Sequence, residues 1–341
     1  MQSIYGITRK KLEAYFEEMG DKKFRATQVF EWLYRSKVKS FDEMTNLKKD
    51  LIEKLKEDFT FDDIKLVIKQ EDELTSKYLF ELNDKHRIEA VLMRHDYGNS
   101  ICISSQIGCN MGCAFCQSGR LKKIRNLEVS EMLLQVMKVE EEIGERISHV
   151  VIMGIGEPFD NYDNVIDFVR IINDPYSLAI GVRHITVSTC GIVPKIYALA
   201  DENLDINLAI SLHAPNNELR SKIMKINNAY PLEEVIGAVK DYIDKTNRRV
   251  TFEYIMLDGV NDTKECALEL VKLVKGLNAY VNLIPYNETE NIEFKRSKSS
   301  QINEFYDILK KNNINVTIRR EFGGNVDAAC GQLRANQKGG M

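Results

Sequence analysis

Cys109, Cys113 and Cys116 fall within eight residues, in the run Cys-Asn-Met-Gly-Cys-Ala-Phe-Cys. Three thiolates so close can hold three irons of a 4Fe-4S cluster and leave the fourth iron without a protein ligand, open to a substrate or cosubstrate. A structural zinc ion accepts the same soft donors but asks for four, usually as two short cysteine hooks. Only Cys102 lies near enough in sequence to complete such a set.

Other residues able to do chemistry follow short apolar runs. Gly154-Ile155-Gly156-Glu157-Pro158 is a turn whose glycines let a ligand approach the backbone, with a carboxylate beside them, although an ordinary strand-to-helix turn has the same composition. Ser188-Thr189-Cys190-Gly191 and Ser211-Leu212-His213-Ala214-Pro215-Asn216 end two further runs, and Asn287 follows another. Each of these residues alone can be a satisfied polar group, but four such ends on one rim argue for a ligand site. Cys330 lies beyond the last apolar run in a Gly-rich stretch, where a core thiol is unexpected. Its reactivity depends on surroundings that sequence does not show, so an idle thiol in a tail is the alternative.

The elements that must position these residues are legible from periodicity. Apolar runs at 101–105, 149–154, 184–189, 206–212, 250–255, 280–284 and 316–318 alternate with longer helical patterns. Most are separated by the roughly 30 residues that a strand-helix-strand unit needs, which predicts a parallel sheet. Some six units cannot close a complete eight-unit barrel, and ligands in parallel sheets gather at the carboxyl ends of the strands. Before them, 8–55 has helical spacing, as in Leu12, Tyr15 and Phe16 and again in Val29, Phe30, Leu33 and Tyr34. Residues 60–98 look like short antiparallel strands. The expected class is α/β, a partial (β/α)6 barrel over 99–341, preceded by a small helical accessory domain at 1–60 and a short β linker at 61–98.

With 341 residues and 44% hydrophobic side chains the chain can bury a sizeable core. It has 47 basic against 51 acidic side chains, a net charge of -4, so any nucleic-acid contact must be local. No apolar run has the form of a signal peptide or the roughly 20-residue length of a membrane span. A soluble cytoplasmic protein is expected, whose seven cysteines serve as ligands, catalysts or core rather than as a disulfide framework.

The C-x3-C-x2-C spacing, with an aromatic before the last cysteine, resembles the signature of radical S-adenosylmethionine (SAM) enzymes. Together with Cys102-Ile103-Ser104-Ser105-Gln106, Arg125-Asn126-Leu127, the Gly-x-Gly-Glu-Pro turn, Ser211 to Asn216 and the run 327–333, it resembles the RlmN/Cfr family of RNA-methylating enzymes. Lys23-Phe24-Arg25-Ala26 and Phe41-Asp42-Glu43-Met44-Thr45 look like the RlmN branch rather than the Cfr branch.

That resemblance implies a partial barrel, a 4Fe-4S cluster on Cys109, Cys113 and Cys116, and two SAM per turnover. It implies Gly156 and Glu157 at the methionine amino end of SAM, Ser188 and Ser211, Leu212 and His213 along it, and Asn287 at the far rim. It makes Cys330 the methyl carrier, Cys102 the thiol that resolves a protein-RNA adduct through a disulfide, and Glu89 the proton acceptor. An adenine ring carbon such as C2 is electron-poor and cannot attack the SAM methyl group, which is why a radical route is needed. Implied partners are 23S rRNA, tRNA and an electron donor such as flavodoxin or ferredoxin. RNA contacts are expected from the basic helical unit (Lys22, Lys23, Arg25, Arg35, Lys37, Lys39), from residues 122–125 and from residues 295–298. Cys190 stands where relatives carry a small residue. Three alternatives stay open: a Cfr-type C8 methyltransferase, a different radical SAM enzyme such as a protein-activating enzyme, and a zinc-stabilised RNA-binding module.

Overall fold

The structure, a computed structural model, describes residues 1–289, 292–319 and 332. One sheet holds ten strands: β1 (Lys65–Glu71), β2 (Thr75–Glu81), β3 (Arg87–His95), β4 (Gly98–Ile103), β5 (Ile147–Ile152), β6 (Ile185–Thr189), β7 (Asn207–Ser211), β8 (Val250–Met256), β9 (Ala279–Pro285) and β10 (Val316–Ile318). They lie side by side in chain order, with β1 and β10 as the two edges. Pairing is antiparallel from β1 to β4 and parallel from β4 to β10. All seven apolar runs are therefore parallel strands. The strands within 61–98 hydrogen-bond straight into that sheet, with Val91 on β3 opposite Cys102 on β4.

Helices cross between the parallel strands: α4 (Val129–Ile143), α5 (Tyr162–Asn173), α6 (Val193–Asp201), α7 (Asn217–Ile223) with α8 (Leu232–Thr246), α9 (Lys264–Val274) and α10 (Ser299–Lys311). Local signals set their ends. Glu128 and Glu131 form a capping box at the start of α4, and Gly144 closes it in the left-handed conformation at φ 65°. Thr263 caps α9 by accepting from the Cys266 N–H.

Each parallel strand turns one apolar row outward onto these helices. Ile185, Val187, Leu208, Ile210, Phe252 and Leu283 all belong to the main core. The opposite row is polar, with Thr186, Ser188, Asn207, Ser211, Glu253 and Asn282. Val151, Thr186, Asn207, Thr251 and Asn282, from five successive strands, line a single cavity. A flat sheet with strands about 4.8 Å apart would spread them over roughly 19 Å. The sheet is curved into an open barrel, and the polar rows face its lumen.

The N-terminal unit contains α1 (Arg9–Glu18), α2 (Phe24–Phe30), a π-helical turn at Glu31–Arg35 and α3 (Lys49–Asp58). Phe16, Phe30, Tyr34 and Leu55 join the same core as the barrel helices. Ion pairs fasten the unit from outside: Arg9 to Asp174 at 2.8 Å, Lys37 to Glu140 at 3.4 Å and Lys39 to Glu141 at 3.2 Å. Arg35 pairs with Glu31 and donates to the Pro175 carbonyl. Much of the expected basic face thus meets acidic or carbonyl groups of this same chain. Among the described residues no helix is long and apolar enough to cross a membrane.

Candidate active site

The loop carrying Cys109, Cys113 and Cys116 follows β4 and is pinned at several points. The Cys109 N–H donates to Leu121 O at 3.0 Å and the Ala114 N–H to Ile223 O at 2.9 Å. Gly108 has φ 74°, and a Cβ there would stand 2.2 Å from the Lys122 carbonyl, so only glycine fits. Phe115 is buried with its ring edge-on to His213, centroids 4.9 Å apart.

The strand ends supply the facing wall. Glu157 is buried at the end of β5, and both of its carboxylate oxygens are engaged: Oε1 accepts from the Phe159 N–H at 3.0 Å and Oε2 from the Cys190 N–H at 2.8 Å. Glu157 therefore ties the end of β5 to the end of β6. Burial pushes its carboxyl up, and these hydrogen bonds pull the other way. The glycines beside it answer a packing need: a Cβ on Gly154 would stand 2.6 Å from Ile103 O, and one on Gly156 2.6 Å from the Gln106 side chain. Their expected role in admitting a ligand is matched by a plainer one, letting the turn lie against the end of β4.

His213 is buried with φ 58°, and its Nδ1 accepts from the Ile255 N–H at 3.1 Å. Burial pulls its pKa down to about 3, so the ring is neutral, and with Nδ1 accepting, the ring proton sits on Nε2. Arg220, in α7, lies beneath this rim fully buried. Its guanidinium donates to the carbonyls of Cys190 (2.7 Å), Ser211 (3.3 Å), Leu212 (3.2 Å) and Tyr230 (3.4 Å), and to Asn227 Oδ1 (3.1 Å).

Cys109, Cys113, Cys116, Gly156, Glu157, Ser188, Ser211 and His213 all line one pocket at the carboxyl ends of the strands. The structure so brings together most of the expected cofactor residues. Leu212 instead turns its side chain into the main core, and Asn287 is not among the lining residues. Cys190, to which the sequence assigned no role, is in the lining, and Arg220 was missed altogether. The donor set fits an iron-sulfur cluster. Burial first, then the Cys116 sulfur and Glu157, push the Cys109 thiol up to about 12 and raise Cys113 likewise, so without iron both stay protonated. Iron held by these sulfurs would reverse that balance, since a coordinating thiol binds as the thiolate. Among the described residues no three His, Cys, Asp or Glu side chains close on a single metal ion.

Cys102 lies lower in the lumen, and Glu89, whose carbonyl accepts from the Ser104 hydroxyl, stands one lumen-facing step nearer the carboxyl ends of the strands. Cys102 on β4 is the direct cross-strand partner of Val91 and Val151, and Val151 lines the lumen cavity. Glu89 stands two residues from Val91 on β3, so it shares that face. It is 3% exposed and pairs with Lys77 Nζ at 3.4 Å. Cys330 lies outside the described residues. In the loop at 122–125, Lys123 pairs with Asp160 at 2.7 Å, and Arg125 grips Glu131 with Nη1 and Nη2 and Asp84 with Nε and the same Nη2. Lys295 pairs with Glu288 at 3.0 Å.

A curved parallel sheet, a three-cysteine loop after its first parallel strand and a polar pocket at the strand ends define a radical SAM enzyme. Residues 103–273 match the Radical SAM superfamily, and residues 2–60 match the Ribosomal RNA large subunit methyltransferase N-terminal domain. The chain is 56% identical to a probable dual-specificity RNA methyltransferase RlmN of Enterococcus faecalis, over 98% of this chain and 97% of that one. It is 53% identical to the protein of the same description from Spiroplasma citri, over 99% of each. A crystal structure of a radical SAM methyltransferase from Sphaerobacter thermophilus superposes with a TM-score of 0.90 at 40% identity, covering 98% of this chain and all of that one. The chain belongs to the RlmN family of radical SAM methyltransferases.

Proposed function

We propose that the protein methylates C2 of adenosine in RNA, in the peptidyl-transferase region of 23S rRNA and just 3′ of the anticodon in tRNA, through a methylated Cys330 and a transient protein-RNA adduct. The observation that carries the reading is the placement of Cys102 and Glu89 on one lumen face, a single lumen-facing step apart, on the two strands that lead to the three-cysteine loop. A thiol and a carboxylate so placed suit a nucleobase lying within the lumen.

Bound at Cys109, Cys113 and Cys116 and along Ser188, Ser211 and His213, the 4Fe-4S cluster and two SAM per turnover supply the methyl group and the one-electron chemistry that activates it. An electron donor of the flavodoxin or ferredoxin class serves the cluster. Cys330 carries the methyl carbon, which becomes a bridge from its Sγ to ring C2. The adduct gives up the C2 proton to Glu89 and one electron, for which the cluster held at Cys109, Cys113 and Cys116 would be the acceptor. Cys102 then attacks Cys330 Sγ as a thiolate. The S–S bond forms as the S–C bond breaks, the electron pair passes to the bridging carbon, and a proton completes the methyl group. An external thiol reduces the disulfide before the next cycle.

Nucleoside mass spectrometry of rRNA and tRNA from a strain lacking the protein tests this. Loss of 2-methyladenosine is expected, and loss of 8-methyladenosine in its place would establish Cfr-type chemistry.

A further inference from the structure

The cations expected to hold RNA are mostly paired within the chain, whereas arginines at the opposite end of the barrel are placed differently. Arg248 and Arg249 stand just before β8, at the amino ends of the parallel strands, and line the cavity of about 610 Å3 that reaches up to Glu253. Arg248 donates to Asn207 Oδ1 at 3.1 Å, and its Nε is buried with no partner among the described residues. Arg249 lies over the Tyr280 ring at 4.6 Å, and no described carboxylate pairs with either.

Rings gather on the same rim. Tyr97, 66% exposed in the turn between β3 and β4, stacks on His95 with centroids 4.5 Å apart and planes within 10°. Its ring meets His149 edge-on at 5.1 Å, and His149 stacks on His184 at 4.2 Å. Three of the chain's five histidines are spent on this stack. Burial and the neighbouring rings hold His149 below its ordinary pKa, so it presents a neutral face at pH 7. His149 pairs with Ser100, one lumen-facing step below the pair Cys102 and Val151. The stack therefore ends about 7 Å below the level of Cys102.

We infer that this amino-terminal rim is the RNA-binding face: unpaired nucleobases stack on the Tyr97, His95, His149 and His184 rings, Arg248 and Arg249 hold the adjoining phosphodiesters, and the target adenosine enters the lumen from this end. Stacking platforms beside guanidinium groups are the common means of holding single-stranded nucleic acid. Entry from here delivers a base first to the level of Cys102, with Glu89 one lumen-facing step farther in. The inference rests on the proposed RNA activity.

The test uses the full cluster-loaded protein and a short RNA hairpin with an unpaired adenosine in its loop, followed by fluorescence anisotropy across a salt series. Tyr97→Ala should weaken binding about tenfold with the salt slope unchanged, and Tyr97→Trp should restore it. Arg248→Gln with Arg249→Gln should lower the log-log salt slope by roughly one to two units. Iron content and the unfolding midpoint verify that the variants are folded, and Arg249→Lys serves as a milder second variant. Unchanged affinity and slope in both Tyr97→Ala and the double glutamine variant, in a protein that methylates RNA, would overturn the inference. A wild-type protein that binds the hairpin through this rim yet yields no methylated adenosine would leave the binding face standing and refute the proposed chemistry.

Discussion

Arg220 and Cys190 sit 30 residues apart in sequence and are joined by a 2.7 Å hydrogen bond from the guanidinium to the backbone carbonyl, entirely out of solvent. The same guanidinium reaches Ser211 O, so one buried side chain joins the ends of β6 and β7, which present Ser188 and Ser211 to the pocket. Arg220→Met should remove all five of its hydrogen bonds and cost about 3 kcal/mol or more, because buried carbonyls are left without donors. Chemical denaturation measures the loss. SAM affinity, measured by calorimetry on protein that remains folded, should fall with it.

Cys109→Ala, Cys113→Ala and Cys116→Ala should each abolish the cluster. Cys190→Ser should still load about four irons per chain after anaerobic reconstitution, since its backbone rather than its thiol holds the rim together. Four irons in the Cys113→Ala protein would remove the three-cysteine assignment, and stoichiometric zinc without iron would favour the zinc module.

Loading should also depend on pH in a fixed direction. Cys109 and Cys113 hold their protons without iron, so binding expels protons and cluster affinity should rise with pH. A competition series with an iron chelator at several pH values reads this directly.

His213 gives a stability signature. Its folded pKa is depressed to about 3, so below the ordinary histidine value near 6.5 the unfolded chain binds a proton that the folded one refuses. Stability contributed by neutral His213 is present above that value and is lost as pH falls toward 3, with a slope of up to about 1.4 kcal/mol per pH unit. Urea titrations of wild type and His213→Gln should diverge in slope across this window.

The two thiols outside the cluster should fail at different steps. Cys330→Ala should transfer no methyl group to protein or RNA. Cys102→Ala should accumulate a covalent adduct that migrates with the protein on a denaturing gel carrying labelled RNA. Normal turnover in the Cys102 variant would discard disulfide resolution.

The seven parallel strands were readable because each carries a short apolar run, and their outer rows feed a common core. What periodicity could not show was the other face: Thr186, Ser188, Asn207 and Ser211 alternate with those apolar residues and make a polar lumen. The fates of charges were also hidden. Lys37 finds Glu140 across 103 residues, and Arg125 finds Asp84 across 41, pairings that depend on tertiary placement rather than local pattern. Arg220 gave no signal beyond its place after the Ser211 to Asn216 run, since a helical arginine ordinarily points into water. The Gly154 and Gly156 turn, singled out for its composition, does line the pocket, but its tight packing against the end of β4 arises from tertiary placement and has no local signal.

The strand order, in which every strand lies beside its predecessor in the chain, bears on how the protein is made. As synthesis proceeds, each new strand emerges with its partner already present, and each crossover closes a loop of modest length. The β1 to β4 meander can form first, because its pairings are the most local. Cys102, Glu89 and the three-cysteine loop are then in place while the strands that bring Ser188, Ser211 and Asn282 are still to come. A nascent chain stalled before β7 would carry three exposed thiols with only part of their enclosing wall, which makes the order of metal loading and chain completion a matter of consequence for the cell.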